Sequence, residues 1–262
     1  SRDQPMTTVT APRMITPATT QSRIWAVVKL NLTNPWTAII LPSIIFGIIF
    51  LADLVIRVLI NSAAPTSAAG ADGVEGYSMS GGVVFIFVYM LVAAVQIINL
   101  TFQYAVGYGV TRRDFYLGSS LTFLLLSIMY SIGLTTLAEI ERATNGWGLG
   151  GRMFAPLLFG DGQWFERLWI FFTVFLFFFF VGAVTAAVYV RWKSNGVVAM
   201  FTAIAALVIA GAAVLTFTEN WPAFVDFFLV IQYLGAYSLS LVCSVFAAVC
   251  GYFVLRKATP TN

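Results

Sequence analysis

"FFTVFLFFFF", residues 171–180, carries phenylalanine around its whole circumference when wound into a helix. Such a helix has no polar face to turn towards water, so it belongs among lipid and other helices. Its surroundings agree. The 262-residue chain is 60% hydrophobic and 10% charged, with a mean hydropathy of +0.89. Soluble domains sit nearer about 45–50% apolar and 25% charged, and a soluble core of this length could not absorb the excess.

Six apolar stretches are long enough to cross a bilayer, which takes about 17–25 helical residues. They run over 36–59, 82–106, 118–138, 167–190, 197–216 and 229–254. The links at 61–81 and 141–166 are long, whereas those at 107–117 and 191–196 are short. The expected fold is therefore all-α: a polytopic membrane protein of six transmembrane helices over 35–257.

Lys and Arg set the orientation, because cytoplasmic segments carry them in excess. Arg2, Arg13, Arg23, Lys29, Arg112, Arg113, Arg191, Lys193, Arg256 and Lys257 fall on one side of the six spans. Only Arg57, Arg142, Arg152 and Arg167 fall on the other. Both termini and the short links are thus expected in the cytoplasm, in a cell (inner, cytoplasmic) membrane. Residues 1–20 read as a flexible cytoplasmic segment without an apolar secretory core, in which 1–5 precede Met6 as a non-native leader. Residues 258–262 read as a cytoplasmic tail.

Ahead of the first span, residues 21–34 place Ile24, Val27, Val28 and Leu32 at helical spacing. Arg23, Trp25 and Lys29 suit the headgroup layer, so this segment reads as an interfacial amphipathic helix. A frayed end of the first span is the alternative. Asn34-Pro35 then turns the chain into the membrane, since proline tolerates a helix start. At the outer side, 61–82 reads as a small-residue loop. Residues 141–169 and 216–228 could each hold a short surface helix.

Chemistry-bearing residues are sparse. The sequence contains no histidine, which removes the commonest general base and metal ligand. Cys243 and Cys250 lie about 10 Å apart along a helix axis, too far to bridge, and read as small residues buried in a helix interface. Asp53 and Arg57 are four residues apart near the outer end of span one and can pair on one face, with the arginine snorkelling. No phosphate-binding G-x-x-x-x-G-K-[ST] loop occurs, and no basic surface suits nucleic acid. No catalytic residue, metal site or resident cofactor is expected, and the chain does not read as an enzyme.

Amides and hydroxyls are the polar groups that do fall within spans. Gln96, Asn99 and Gln103 share one face of span two, which must turn towards protein or a wet cavity. Interhelical hydrogen bonding is one reading; lining a substrate pathway is the other. Ala236, Ser240, Ser244 and Ala248 form a small-residue stripe on span six, as Thr202, Ala206 and Ala210 do on span five, and such stripes let helices approach closely.

The densest polar cluster is "GYGVTRRDFYLGS", residues 107–119, between spans two and three. Gly107, Gly109 and Gly118 can bend the chain. Thr111 can cap a short helical turn, with Asp114 placed as in a capping box, and Phe115 adds an aromatic that could project into a groove on a soluble protein. Fixing topology would need only the two arginines.

Gly-Val-Thr-Arg-Arg-x-Phe-x-x-Gly at 109–118 resembles the first cytoplasmic loop of ABC transporter permeases of the ABC-2 type. The resemblance extends in layout to the interfacial helix, the six spans and the short outer helix before span six. It implies that Val110, Thr111, Arg112, Arg113, Asp114 and Phe115 form a coupling turn that docks on a separate ATP-binding subunit, with span three beginning at Gly118. It implies that residues 21–33 touch the same subunit. Two ATP-binding subunits, which would bind ATP and Mg, and a second permease copy complete the implied exporter of an amphipathic drug, peptide or lipid-like cargo. The two-helix re-entrant segment of some relatives is here shortened to room for one. A membrane immunity or sensor protein that binds a peptide or lipid without moving it, and a channel, are the alternatives.

Overall fold

A computed structural model describes residues 20–33, 35–63, 82–149, 152–154 and 162–257. The described residues are mostly helical, joined by turns and short irregular pieces. The expected loop over 61–82 lies mostly outside them, as do residues 1–19 and 258–262. Six helices follow one another: α1 (Thr20–Thr33), α2 (Leu41–Ala63), α3 (Gly82–Gly107), α4 (Arg112–Ala143), α5 (Trp164–Phe217) and α6 (Trp221–Arg256). Five, α2 to α6, are long and apolar enough to cross a membrane, the make-up of a multi-pass membrane protein.

The count differs from the six expected stretches because α5 joins two of them. It has 54 residues, about 80 Å at 1.5 Å each, far beyond a hydrocarbon core of about 30 Å. Its helical geometry breaks at one residue, Lys193 (φ 57°, ψ −153°). In α6 the same happens at Gln232 (φ 54°, ψ −174°), which sets off a short leading piece ahead of the expected sixth span. Non-glycine residues avoid such backbone angles unless the surroundings impose them. Each corner is followed three residues later by a glycine packed on the residue just before the break. A Cβ on Gly196 would lie 2.4 Å from Trp192 Cβ, and one on Gly235 would lie 2.8 Å from Ile231 Cβ.

The phenylalanine run builds the core. Phe171, Phe175 and Phe179 recur every fourth residue and are fully buried. Phe175 meets Phe87 of α3 at 4.7 Å, and Phe179 stacks on Phe123 of α4 at 5.2 Å. Further along the same face come Gly182 and Ala183, where the helices touch. A Cβ on Gly182 would lie 2.4 Å from the Leu91 carbonyl oxygen, a close approach that small residues permit.

A π-helical turn, Trp36–Ile40, leads from Pro35 into α2. Such turns leave the regular hydrogen-bond ladder, and here tyrosines from two neighbours serve its carbonyls. The Tyr89 hydroxyl donates to Thr37 O at 3.2 Å, and that of Tyr130 to Ala38 O at 2.7 Å.

At the opposite end of α2, Asp53 and Arg57 pair at 2.6 Å as their spacing predicts. They do not snorkel: both side chains are below 5% exposed, so pairing offsets burial there instead of water. Nearby, the Glu141 carboxylate accepts from the backbone N–H groups of Met153 (2.7 Å) and Phe154 (2.8 Å). Arg167, itself buried, donates to Glu139 at 3.3 Å.

Candidate functional site

The polar ledge at 107–119 is assembled from three distant parts of the chain. Helix α3 ends at Gly107, and Gly109 (φ 79°) takes the left-handed conformation that turns the chain back. Thr111 then caps α4: its hydroxyl accepts from the Asp114 N–H at 3.1 Å. The expected cap is therefore present, but it starts the long helix itself. No separate short helix precedes α4, whose first residue is Arg112, six residues ahead of Gly118.

Gly118 has a different job. A Cβ there would lie 2.6 Å from Val27 Cβ and 3.0 Å from the Ile24 carbonyl oxygen. It is the contact point on which α1 rests, with Val27 and Val28 buried. Asn31 fastens the same contact, donating to Ser119 Oγ and Thr122 Oγ1, both at 3.3 Å. A helix thus forms close to the bounds expected for residues 21–34, with Val27 and Val28 turned towards α4. Trp25 and Lys29 remain exposed.

Phe115 departs from expectation. It is fully buried, edge-on to Phe102 of α3 at 5.3 Å, because its place on α4 faces the bundle. It does not project. Asp114 is 5% exposed and faces Arg23 of α1 at 4.0 Å. Val110 packs against the core. Arg112 donates to the backbone carbonyl of Arg256 at 3.3 Å, tying α4 to the end of α6. Of the loop residues singled out, Thr111 and Arg113 are exposed, and Tyr108 beside them is 86% exposed.

Between α1, α4 and α6 lies a polar cleft of about 560 Å³, lined by Arg23, Thr111, Arg113, Asp114, Tyr252 and Arg256 with Thr20 at its edge. Three guanidinium groups face it against one carboxylate. Arginine forks match carboxylates and phosphates, so the cleft suits an anionic group. Tyr252 was not singled out from sequence, and Arg256 was read only for the orientation of the chain. Beside them the Tyr116 ring lies edge-on to Tyr252 at 5.8 Å and its hydroxyl donates to Ala248 O at 2.6 Å. Gly251 makes room for that ring, since a Cβ there would lie 2.7 Å from the Tyr116 hydroxyl. The pattern of α6 alone could not signal a partner lying 132 residues away.

Gln96, Asn99 and Gln103 do share a side of α3, away from the cleft. Gln96 and Gln103 are exposed, and Asn99 is half-buried with a buried Oδ1 that has no partner within the described residues. Val92, Leu100 and Tyr104 continue this exposed side. The cysteines are free, and Cys243 is exposed where an interface position was expected. No group of three or more metal-ligating side chains occurs among the described residues.

Compared with known proteins, the chain matches no family model, no curated protein and no solved structure.

Proposed function

We propose that the chain is the membrane-spanning permease subunit of an ATP-driven exporter of the ABC-2 type. It would cross the cytoplasmic membrane six times, with α5 divided at Lys193 into two crossings and both termini in the cytoplasm. The observation that carries the reading is the ledge. A loop between two spans, an interfacial helix and the end of the last span are bound into one rigid surface by Arg112–Arg256, Arg23–Asp114 and Asn31. Tying a surface to three elements is what transmitting movement from a docked subunit into the spans requires. Topology alone would need only the arginines.

On this reading the ATP-binding subunit sits on Tyr108, Arg113 and the arginine-lined cleft, while Phe115 transmits force from inside. That partner binds ATP and Mg; this chain supplies no hydrolytic group. The amides on the exposed side of α3 support a second copy of the chain across a shared pathway. Lipid would penalise them, and an amide both donates and accepts, so it can pair with its own copy across a two-fold. The cargo class remains amphipathic, suited to aromatic and amide linings.

The test is copurification from the native host in mild detergent, with Arg113→Glu and Tyr108→Asp as variants. Both positions are exposed, so the fold should survive. A nucleotide-binding subunit that accompanies the parent and is lost from either variant supports the permease. A parent that brings down no such subunit overturns it, and the sensor or channel readings take its place.

A further inference from the structure

We propose that the groove between α2 and α4 holds an acyl chain of a bilayer phospholipid. The groove has a volume of about 390 Å³ and is open at its surface. Ser43, Met129 and Gly133 at its mouth are exposed, whereas Phe46, Ile86 and Phe154 at its floor are buried. Two glycines make the room. A Cβ on Gly47 or on Gly133 meets nothing within 4 Å, so the facing sides of α2 and α4 stand apart.

The lining selects the occupant. It contains no charged residue. Its polar side chains are Ser43 and Tyr130, and both hydroxyls already donate to main-chain carbonyls, of Ile39 at 2.6 Å and of Ala38 at 2.7 Å. The groove therefore offers an occupant dispersion contacts and little else. Depth agrees: Ser43 and Phe50 lie roughly 10 and 20 Å along α2 from Trp36, within the hydrocarbon layer. There the molecule of this chemistry present in greatest amount is the phospholipid tail.

One end is closed. Phe154 lies edge-on to Phe46 at 5.6 Å and against Phe50 at 5.4 Å, with its N–H held by Glu141. A roof pinned by a buried carboxylate bounds the length of chain that fits. Since every contact is to the tail, headgroup identity should not matter. This inference stands apart from the permease reading and concerns a different part of the molecule.

The full chain in nanodiscs is tested with a phospholipid carrying a diazirine midway along one tail, presented with a choline or a glycerol headgroup. Adducts mapped by mass spectrometry should concentrate on the peptides around Gly47, Met129 and Phe154, equally for both headgroups. Two blocking variants, Gly133→Phe and Met129→Trp, should each lower them at least fivefold. Adducts at Leu207, which is 74% exposed on α5, should stay unchanged and report that each variant has inserted. Adducts spread evenly over exposed helices, dependence on the headgroup, or capture that survives both variants would each overturn the proposal.

Discussion

Helix α3 and the second half of α5 are equally apolar, yet they live in different surroundings. In its most apolar 18-residue stretch α3 is 44% buried; the corresponding stretch of α5 is 0% buried. Indeed, no residue from 189 to 243 is buried within the chain, whereas Phe171, Phe175, Phe179 and Ala183 just before them are fully buried. Hydropathy reports the solvent a helix tolerates, and in lipid an exposed helix costs nothing. Packing needs shape, and shape comes from facing rings and glycines.

The contrast can be broken most severely in the packed half. Phe175→Ala should destabilise the chain by about 3–5 kcal/mol, the usual cost of removing a large buried aromatic, read as thermal unfolding in detergent. Phe201→Ala, 51% exposed on α5, should leave unfolding unchanged. Next in size is the buried pair: Arg57→Ala strands the Asp53 carboxylate and should cost about 3 kcal/mol, read in the same assay. If the loss is under about 1 kcal/mol, water reaches the pair.

Gly182→Leu drives a side chain into the Leu91 carbonyl and should cost about 1–3 kcal/mol. Its partner experiment, Gly211→Leu, sharpens the comparison, because a Cβ at Gly211 meets nothing within 4 Å. Unfolding of the isolated chain should not change. If the variant instead abolishes self-association of the chain, a second copy covers the Gly211 side of α5. The smallest expected effect is Thr111→Ala, which removes the α4 cap for about 1 kcal/mol. It should leave the packed half intact by hydrogen exchange while loosening the first turn of α4.

Local signals were legible where the physics is local. The Thr111 cap and the Asp53–Arg57 pair depend on residues a few positions apart, and each formed. Asn31 was not legible as a fastener, because Ser119 and Thr122 lie 88 and 91 residues away. Gly118 looked like a helix start and serves instead as a seat for Val27. Phe115 was read as outward-facing from its place in a polar loop, yet α4 begins early enough to turn it inward. The corner at Lys193 was expected as a short link. That a single residue makes it follows from Gly196 fitting against Trp192, a contact across the bend.

The sequence by itself determined that this chain is helical and made for lipid, because side-chain transfer and helix length depend only on composition along the chain. It also carried the Thr111 cap and, to within a residue at each end, the bounds of α1. Only the tertiary structure decided which phenylalanines form the core, which arginines meet at the cleft, and where a groove is left between α2 and α4. Those depend on how surfaces from distant segments fit together, and no periodicity along one helix records the shape of its neighbour.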